Sequence, residues 1–219
     1  MARRLIVLVT VVGLVLALAA TALGATVTVR VEGKTQPIFG SVPVKVQASN
    51  ALVALDAASA LGEFYFGLTT SSFGTYVSQI GRYPAAGAAG WVFKVNGASP
   101  PVGADQVVLK DGDEVLWYYA TFGATGGPKT LSLKAAAANC YTVSAFDDTG
   151  KSTPAAGAQV QAGGRKFKAA ANGRACVGKH VGLVRATLRA QHSGQCDLHF
   201  EHTRIGRRIR RTANGQRFA

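Results

Sequence analysis

Gly90-Trp91-Val92-Phe93-Lys94-Val95-Asn96-Gly97, and further on Asp111-Gly112-Asp113-Glu114-Val115-Leu116-Trp117-Tyr118-Tyr119, decide how this chain folds. Trp91, Phe93 and Val95 alternate with Val92 and Lys94, the period of two that sends one set of strand side chains to a core. Asn96-Gly97 then supplies a tight turn, since both residue types tolerate positive φ. Asp111-Gly112-Asp113 is a second turn, and Glu114 to Tyr119 reads as an aromatic strand. Between them Pro100-Pro101-Val102-Gly103 is an extended crossing, because proline cannot donate within a central sheet. Val107 to Leu109 predicts a short strand.

Upstream, Thr26 to Gly33 alternates with Val27, Val29 and Val31 on one side. Val42 to Val46 is a second apolar stretch, weakened by Pro43. Asn50 to Leu61 has Leu52, Leu55, Ala58 and Leu61 at steps of three, with Asn50 placed to cap the start and Gly62 to end it, so a helix is predicted. Phe64 to Leu68 and Tyr76 to Ile80 look like strands. Residues 26–122 therefore form an α+β unit. Gly123 to Pro128 is rich in glycine and marks a linker over 123–129. Beyond it, Thr130–Lys134, Tyr141–Phe146, Ala158–Gln161, Arg174–Val177 and Leu183–Leu188 are candidate strands. Turns lie at 147–150, at Gly163-Gly164 and at Asn172-Gly173. Short strands at this spacing predict a small all-β sandwich over 130–190. Residues 191–219 show no periodicity and read as a basic disordered tail.

The 219 residues carry a formal net charge of +13, unevenly placed. Residues 26–122 sum to −1 and residues 123–219 to +12, so the basic character belongs to the second half. Arg3 and Arg4 precede an apolar run from Leu5 to Ala20, followed by Thr21-Ala22-Leu23-Gly24-Ala25. That is the pattern of a secretory signal peptide over 1–25. An uncleaved membrane anchor is the alternative. Export places the protein outside the cell or on its surface and exposes Cys140, Cys176 and Cys196 to an oxidising compartment. Cys140 and Cys176 each lie at the edge of a predicted strand, so they are the expected disulfide, and closing that loop stabilises by roughly 3–4 kcal/mol.

The aromatic residues are the best binding candidates, because large rings offer area and a polar tip to flat organic ligands. Trp91, Phe93, Trp117 and Tyr119, with the Val102-Gly103 crossing, form the expected ligand-binding set. Core packing competes for the same rings. Asp111, Asp113 and Glu114 are acidic but lack the spacing of a calcium loop, and turn chemistry accounts for them. Cys196, His199 and His202 offer no fourth ligand at a zinc spacing, so no metal is expected. Residues 123–130 lack the glycine before lysine that a phosphate loop needs, and no nucleophile elbow or metalloprotease motif is present. No catalytic residues are expected. Arg207, Arg208, Arg210 and Arg211 form the densest basic run, suited to a polyanion. No aromatic ladder accompanies them, which argues against nucleic acid.

The segment Trp91 to Gly97, then Pro101-Val102-Gly103, Leu109 to Val115 and Trp117-Tyr118-Tyr119 resembles the DUF4430 family, itself similar to the C-terminal β-domain of transcobalamin and intrinsic factor. The helix with Leu52, Leu55 and Asp56, and Phe73 to Ile80, match its earlier parts. The resemblance implies a β-grasp-like fold for residues 26–122 and a soluble-ligand-binding role, with cobalamin as the ligand it carries over. The helical barrel that completes the site in the vitamin carriers is not in this sequence. Residues 130–190, through Pro154, Gly157, Ala158, Val160, Asn172, Gly173 and Arg174, more loosely resemble immunoglobulin-like or carboxypeptidase-regulatory-like modules. The expected protein is thus a secreted, non-enzymatic binder of a small soluble ligand. The alternative is an envelope module held to anionic wall polymers by its basic half, touching membrane only if the signal is uncleaved.

Overall fold

The computed structural model describes residues 24–72, 74–124 and 126–188, and the backbone of 200–203. Residues 1–23 of the expected signal peptide, and Arg207, Arg208, Arg210 and Arg211, lie outside the described residues. The chain is rich in strands, with one helix among the described residues.

The first half runs β1 (Ala25–Glu32), β2 (Pro37–Ala48), α1 (Ala51–Gly62), β3 (Phe66–Ser71), β4 (Gly74–Ile80), β5 (Tyr83–Pro84), β6 (Ala89–Val95) and β7 (Glu114–Thr121). Its main sheet has the order β2-β1-β7-β6. The β1–β7 pair is parallel and the other two are antiparallel. A smaller sheet, β3-β4-β5, stands beside it. Val27, Val29 and Val31 are buried as their alternation predicts, against Ala51, Ala54, Leu55 and Ala58 of the helix. The helix's buried stripe is mostly alanine, which lets its backbone approach the sheet closely. Asn50 caps it, its Oδ1 accepting the Val53 N–H at 2.8 Å. The stop differs from expectation: Gly62 is still helical, and Glu63 takes the left-handed cap conformation at φ 52°, its N–H donating to the Ser59 carbonyl.

Pro43 is tolerated because β2 is an edge strand. Its register shifts from Val29↔Val44 to Val31↔Phe39 around Gly40, whose φ is +76°. A Cβ at Gly40 would lie 2.4 Å from the Val29 carbonyl oxygen, so only glycine fits there. The strand expected at Val107 to Leu109 is absent. That stretch is fastened by the Leu109 N–H to the Ser49 carbonyl and by a lone bridge between Asn50 and Val108. The acidic turn does turn chemistry: Asp111 accepts the Thr26 N–H, and Asp113 accepts from Lys110 N–H and the Asn96 amide.

The second half contains β8 (Thr130–Ala136), β9 (Cys140–Phe146), β10 (Ser152–Pro154), β11 (Gln159–Ala162), β12 (Arg165–Lys168), β13 (Arg174–Cys176), β14 (Leu183–Thr187) and β15 (Phe200–Thr203). One sheet is centred on β9, which pairs with β8, β10 and β13. The other has the order β12-β11-β14-β15. A buried cluster including Leu131, Val143, Val160, Ala175, Val184 and Ala186 draws on both. β15 falls where an unstructured tail was expected, and pairs antiparallel with β14.

Cys140 and Cys176 face each other across β9 and β13 and are joined by a disulfide. Its loop spans 36 residues in sequence. Reduction should lower stability by about 3 kcal/mol. The check is urea unfolding with and without dithiothreitol, and coincident midpoints would mean the bond constrains nothing. Among the described residues no helix is long and apolar enough to cross a membrane.

Candidate functional site

β6 is the last strand of the main sheet, and among the described residues no strand is hydrogen-bonded to its outer edge. Its two side-chain faces go to different places. Trp91 and Phe93 join the helix-side core, where Phe93 packs on Trp117 at 5.0 Å between ring centroids and Trp91 meets Tyr119 edge-on at 5.5 Å. Val92 packs with Tyr118, Leu116 and Ala120 on the other face. Alternation alone suggests that one face is core and the other solvated. Here both are covered, because the turn after β9 closes over the second one.

Lys94 makes that closure. Its side chain is 0 % exposed, and its ammonium donates to the carbonyls of Asp147 at 2.8 Å and Phe146 at 3.3 Å. It also pairs with the Asp148 carboxylate at 3.3 Å. Burial pulls the Lys94 pKa below the ordinary lysine value, and the neighbouring Asp148 charge offsets part of that. Ser99 fastens the same turn, its N–H donating to the Asp148 carbonyl and its hydroxyl to the carboxylate. Gly97, at φ +86°, lies under the Phe146 ring, where a Cβ would come within 2.7 Å.

A cleft of about 300 Å³ opens along the free edge of β6. Trp91 and Phe93 form one wall, Leu68 and Tyr76 of the β3–β4 hairpin another, and the crossing from Ser99 to Ala104 a third. Tyr76 is 50 % exposed and so offers a ring to a ligand. Phe122 and Asp148 close one end. Among the described lining residues the only charged side chain is Asp148, already paired with Lys94. The cleft is therefore close to neutral and mostly apolar, with a few polar groups at its rim, the usual build of a small-molecule site.

Of the expected ligand-binding set, Trp91, Phe93, Gly103 and Trp117 line this cleft. Trp117 does so from the core: it is 2 % exposed and its Nε1–H donates to the Ala51 carbonyl. Val102 and Tyr119 are not in the lining; the Tyr119 hydroxyl donates to the Pro84 carbonyl instead. Sequence reasoning missed Leu68, Ser99, Pro100, Phe122 and Asp148. Asp148 had no local signal, since it reaches the cleft only through contact between the two halves. Among the described residues no group of three His, Cys, Asp or Glu is placed to hold a metal.

No curated protein matches the chain in sequence. Among the solved structures that match is a protein from Ruminococcus gnavus, described provisionally as metal-binding. It is 16 % identical with a TM-score of 0.34, covering 43 % of this chain and 95 % of its own. Residues 50–121, which hold the helix, the β3–β4 hairpin, β6 and β7, match the DUF4430 family, described as a domain of unknown function.

Proposed function

We infer that the protein is an exported, non-enzymatic binder that takes a small, uncharged organic ligand in the cleft beside β6. Residues 26–122 would form a β-grasp-like module and residues 130–190 an immunoglobulin-like sandwich that buttresses it. The observation that carries this reading is the aromatic lining of the cleft, where Phe93 and the largely buried Trp91 join the half-exposed Tyr76. A corrinoid is several times larger than this cleft and would be held only at one edge. The cobalamin version therefore needs a second surface to complete it.

Titrating 15N-labelled protein with indole should shift the amide resonances of Leu68, Tyr76, Trp91 and Phe93 together. Tyr76→Ala should weaken binding about tenfold, the scale of one aromatic contact. Shifts scattered over the surface, or none at millimolar indole, would remove the reading. Equilibrium dialysis against cyanocobalamin tests the corrinoid version, which ends if none is retained at millimolar concentration.

One observation favours the envelope reading as a second role. Residues 123–188 contain nine Lys and Arg but only Asp147 and Asp148 as acids. Asp148 is paired with Lys94, and Asp147 is occupied within its own turn by Thr149 and Lys151. Such a module should stay on teichoic-acid-bearing cell walls at low salt and leave them as salt rises. Retention that ignores salt would rule it out.

A further inference from the structure

The pairing register of β6 fixes which of its peptide groups are taken. The Asn96 N–H donates to the Glu114 carbonyl, and the Phe122 N–H donates to the Ala88 carbonyl. The pairing runs without a shift from Ala89↔Thr121 to Val95↔Val115. In an antiparallel pair the hydrogen-bonded positions alternate. Gly90, Val92 and Lys94 therefore exchange bonds with β7, and the N–H and C=O of Trp91 and Phe93 point the other way, into the cleft.

Both ends of this free edge are closed off. Ala89 exchanges both backbone bonds with Ala86, and Val95 exchanges both with Ala98. Among the described residues the peptide groups of Trp91 and Phe93 have no backbone partner. What remains is a slot of two donor–acceptor pairs, two residues apart, lined by rings. Exposed strand edges are usually blunted by charge, proline or a covering element. Here the one charge on the central stretch, Lys94, is turned away and buried.

The geometry points to an extended peptide as the occupant, laid against β6 as an added strand. This rests on the ligand-binding reading of the same cleft and names the ligand class. An extended backbone repeats its donors and acceptors every second residue, at the spacing of Trp91 and Phe93. Its side chains would be uncharged, because the cleft is apolar and its one carboxylate is already paired. The half-exposed Leu68, Tyr76 and Phe122 would be covered by them.

The test uses the full chain and a capped hexapeptide of alternating valine and serine, alongside two versions N-methylated at odd or at even positions. In the free protein the Trp91 and Phe93 amides should exchange quickly and those of Val92 and Lys94 slowly. Saturating peptide should slow Trp91 and Phe93 at least tenfold. One methylated version should lose at least tenfold in affinity and the other should bind nearly as the parent does. Equal binding by both, with cleft resonances still shifting, would overturn strand addition and leave ligand binding standing. Indole binding without peptide binding would do the same. Failure of both probes would remove the two readings together. Protection of Trp91 and Phe93 without peptide, rising with protein concentration, would show a second copy on the edge and overturn the proposal.

Discussion

Lys94→Ala should cost about 4 kcal/mol of stability, and the loss should fall where β6 meets the turn at 146–150. The side chain is fully buried, and its ammonium is the donor for the carbonyls of Phe146 and Asp147. Truncation takes that donor from both carbonyls, the Asp147 carbonyl keeping the Gly150 N–H, at a combined cost of about 1–3 kcal/mol, and opens a void beneath Tyr118. The pairing with Asp148 adds little, because that carboxylate is 42 % exposed and screened by water. Lys94→Met fills the void and should recover roughly half of the loss. The pH dependence separates the charge from the packing. Burial holds the folded-state pKa of Lys94 below the ordinary 10.5 of an unfolded lysine. Between those two values the unfolded chain binds more protons, so this group makes stability rise with pH across the alkaline window below 10.5. At neutral pH, below both values, lysine is charged in both states and the cost of burying that charge is borne in full. Urea midpoints followed from pH 7 to pH 10.5 should therefore climb more steeply in the parent than in Lys94→Met. Equal climbs in the two proteins would mean that the ammonium is not buried as described.

Lys94 also shows where sequence reasoning stops. A lysine alternating with Trp91, Phe93 and Val95 marks the solvent face of a strand, and by its neighbours alone that is the sound reading. It is overturned by a turn some fifty residues later in the chain, through a contact that no local pattern encodes. The Asn96-Gly97 turn was legible in chemistry, and both residues do take positive φ. Its partner was not, because β6 pairs with β7 beyond the proline crossing, and β7 pairs in parallel with the distant β1. Asn50 was legible as a cap because the cap bond joins residues only three apart in sequence, Asn50 and Val53. The Cys140–Cys176 pairing was legible from the strand edges on which the two residues lie. β12 escaped notice since Arg165-Lys166-Phe167-Lys168 carries little β propensity; it is a strand because Gly163-Gly164, both at positive φ, fold it back onto β11. The cleft was half legible. The wall rings were named from composition and alternation, but the open edge that makes them a slot follows from register, which only pairing reveals.

Trp117→Ala should be about as damaging as Lys94→Ala, at 3–5 kcal/mol, and it separates the two duties the aromatics perform. Trp117 sits at the centre of the helix-side core, stacked near Phe93, with its indole N–H spent on the Ala51 carbonyl. Removing it empties the space between α1 and the sheet and takes away the support behind Phe93 at once. Trp117→Phe keeps most of the volume and loses the one hydrogen bond, so about 1–2 kcal/mol is expected. Tyr76→Ala faces the same cleft from its exposed side, and its stability should stay within about 0.5 kcal/mol of the parent. Thermal unfolding of the three variants gives the ranking directly. If Trp117→Ala melts with the parent, or Tyr76→Ala melts far below it, the division between core ring and ligand ring is wrong. If the ranking holds, loss of indole binding in Tyr76→Ala reports on the cleft alone, because the fold beneath it is intact. The same loss in Trp117→Ala would report only that the core had opened.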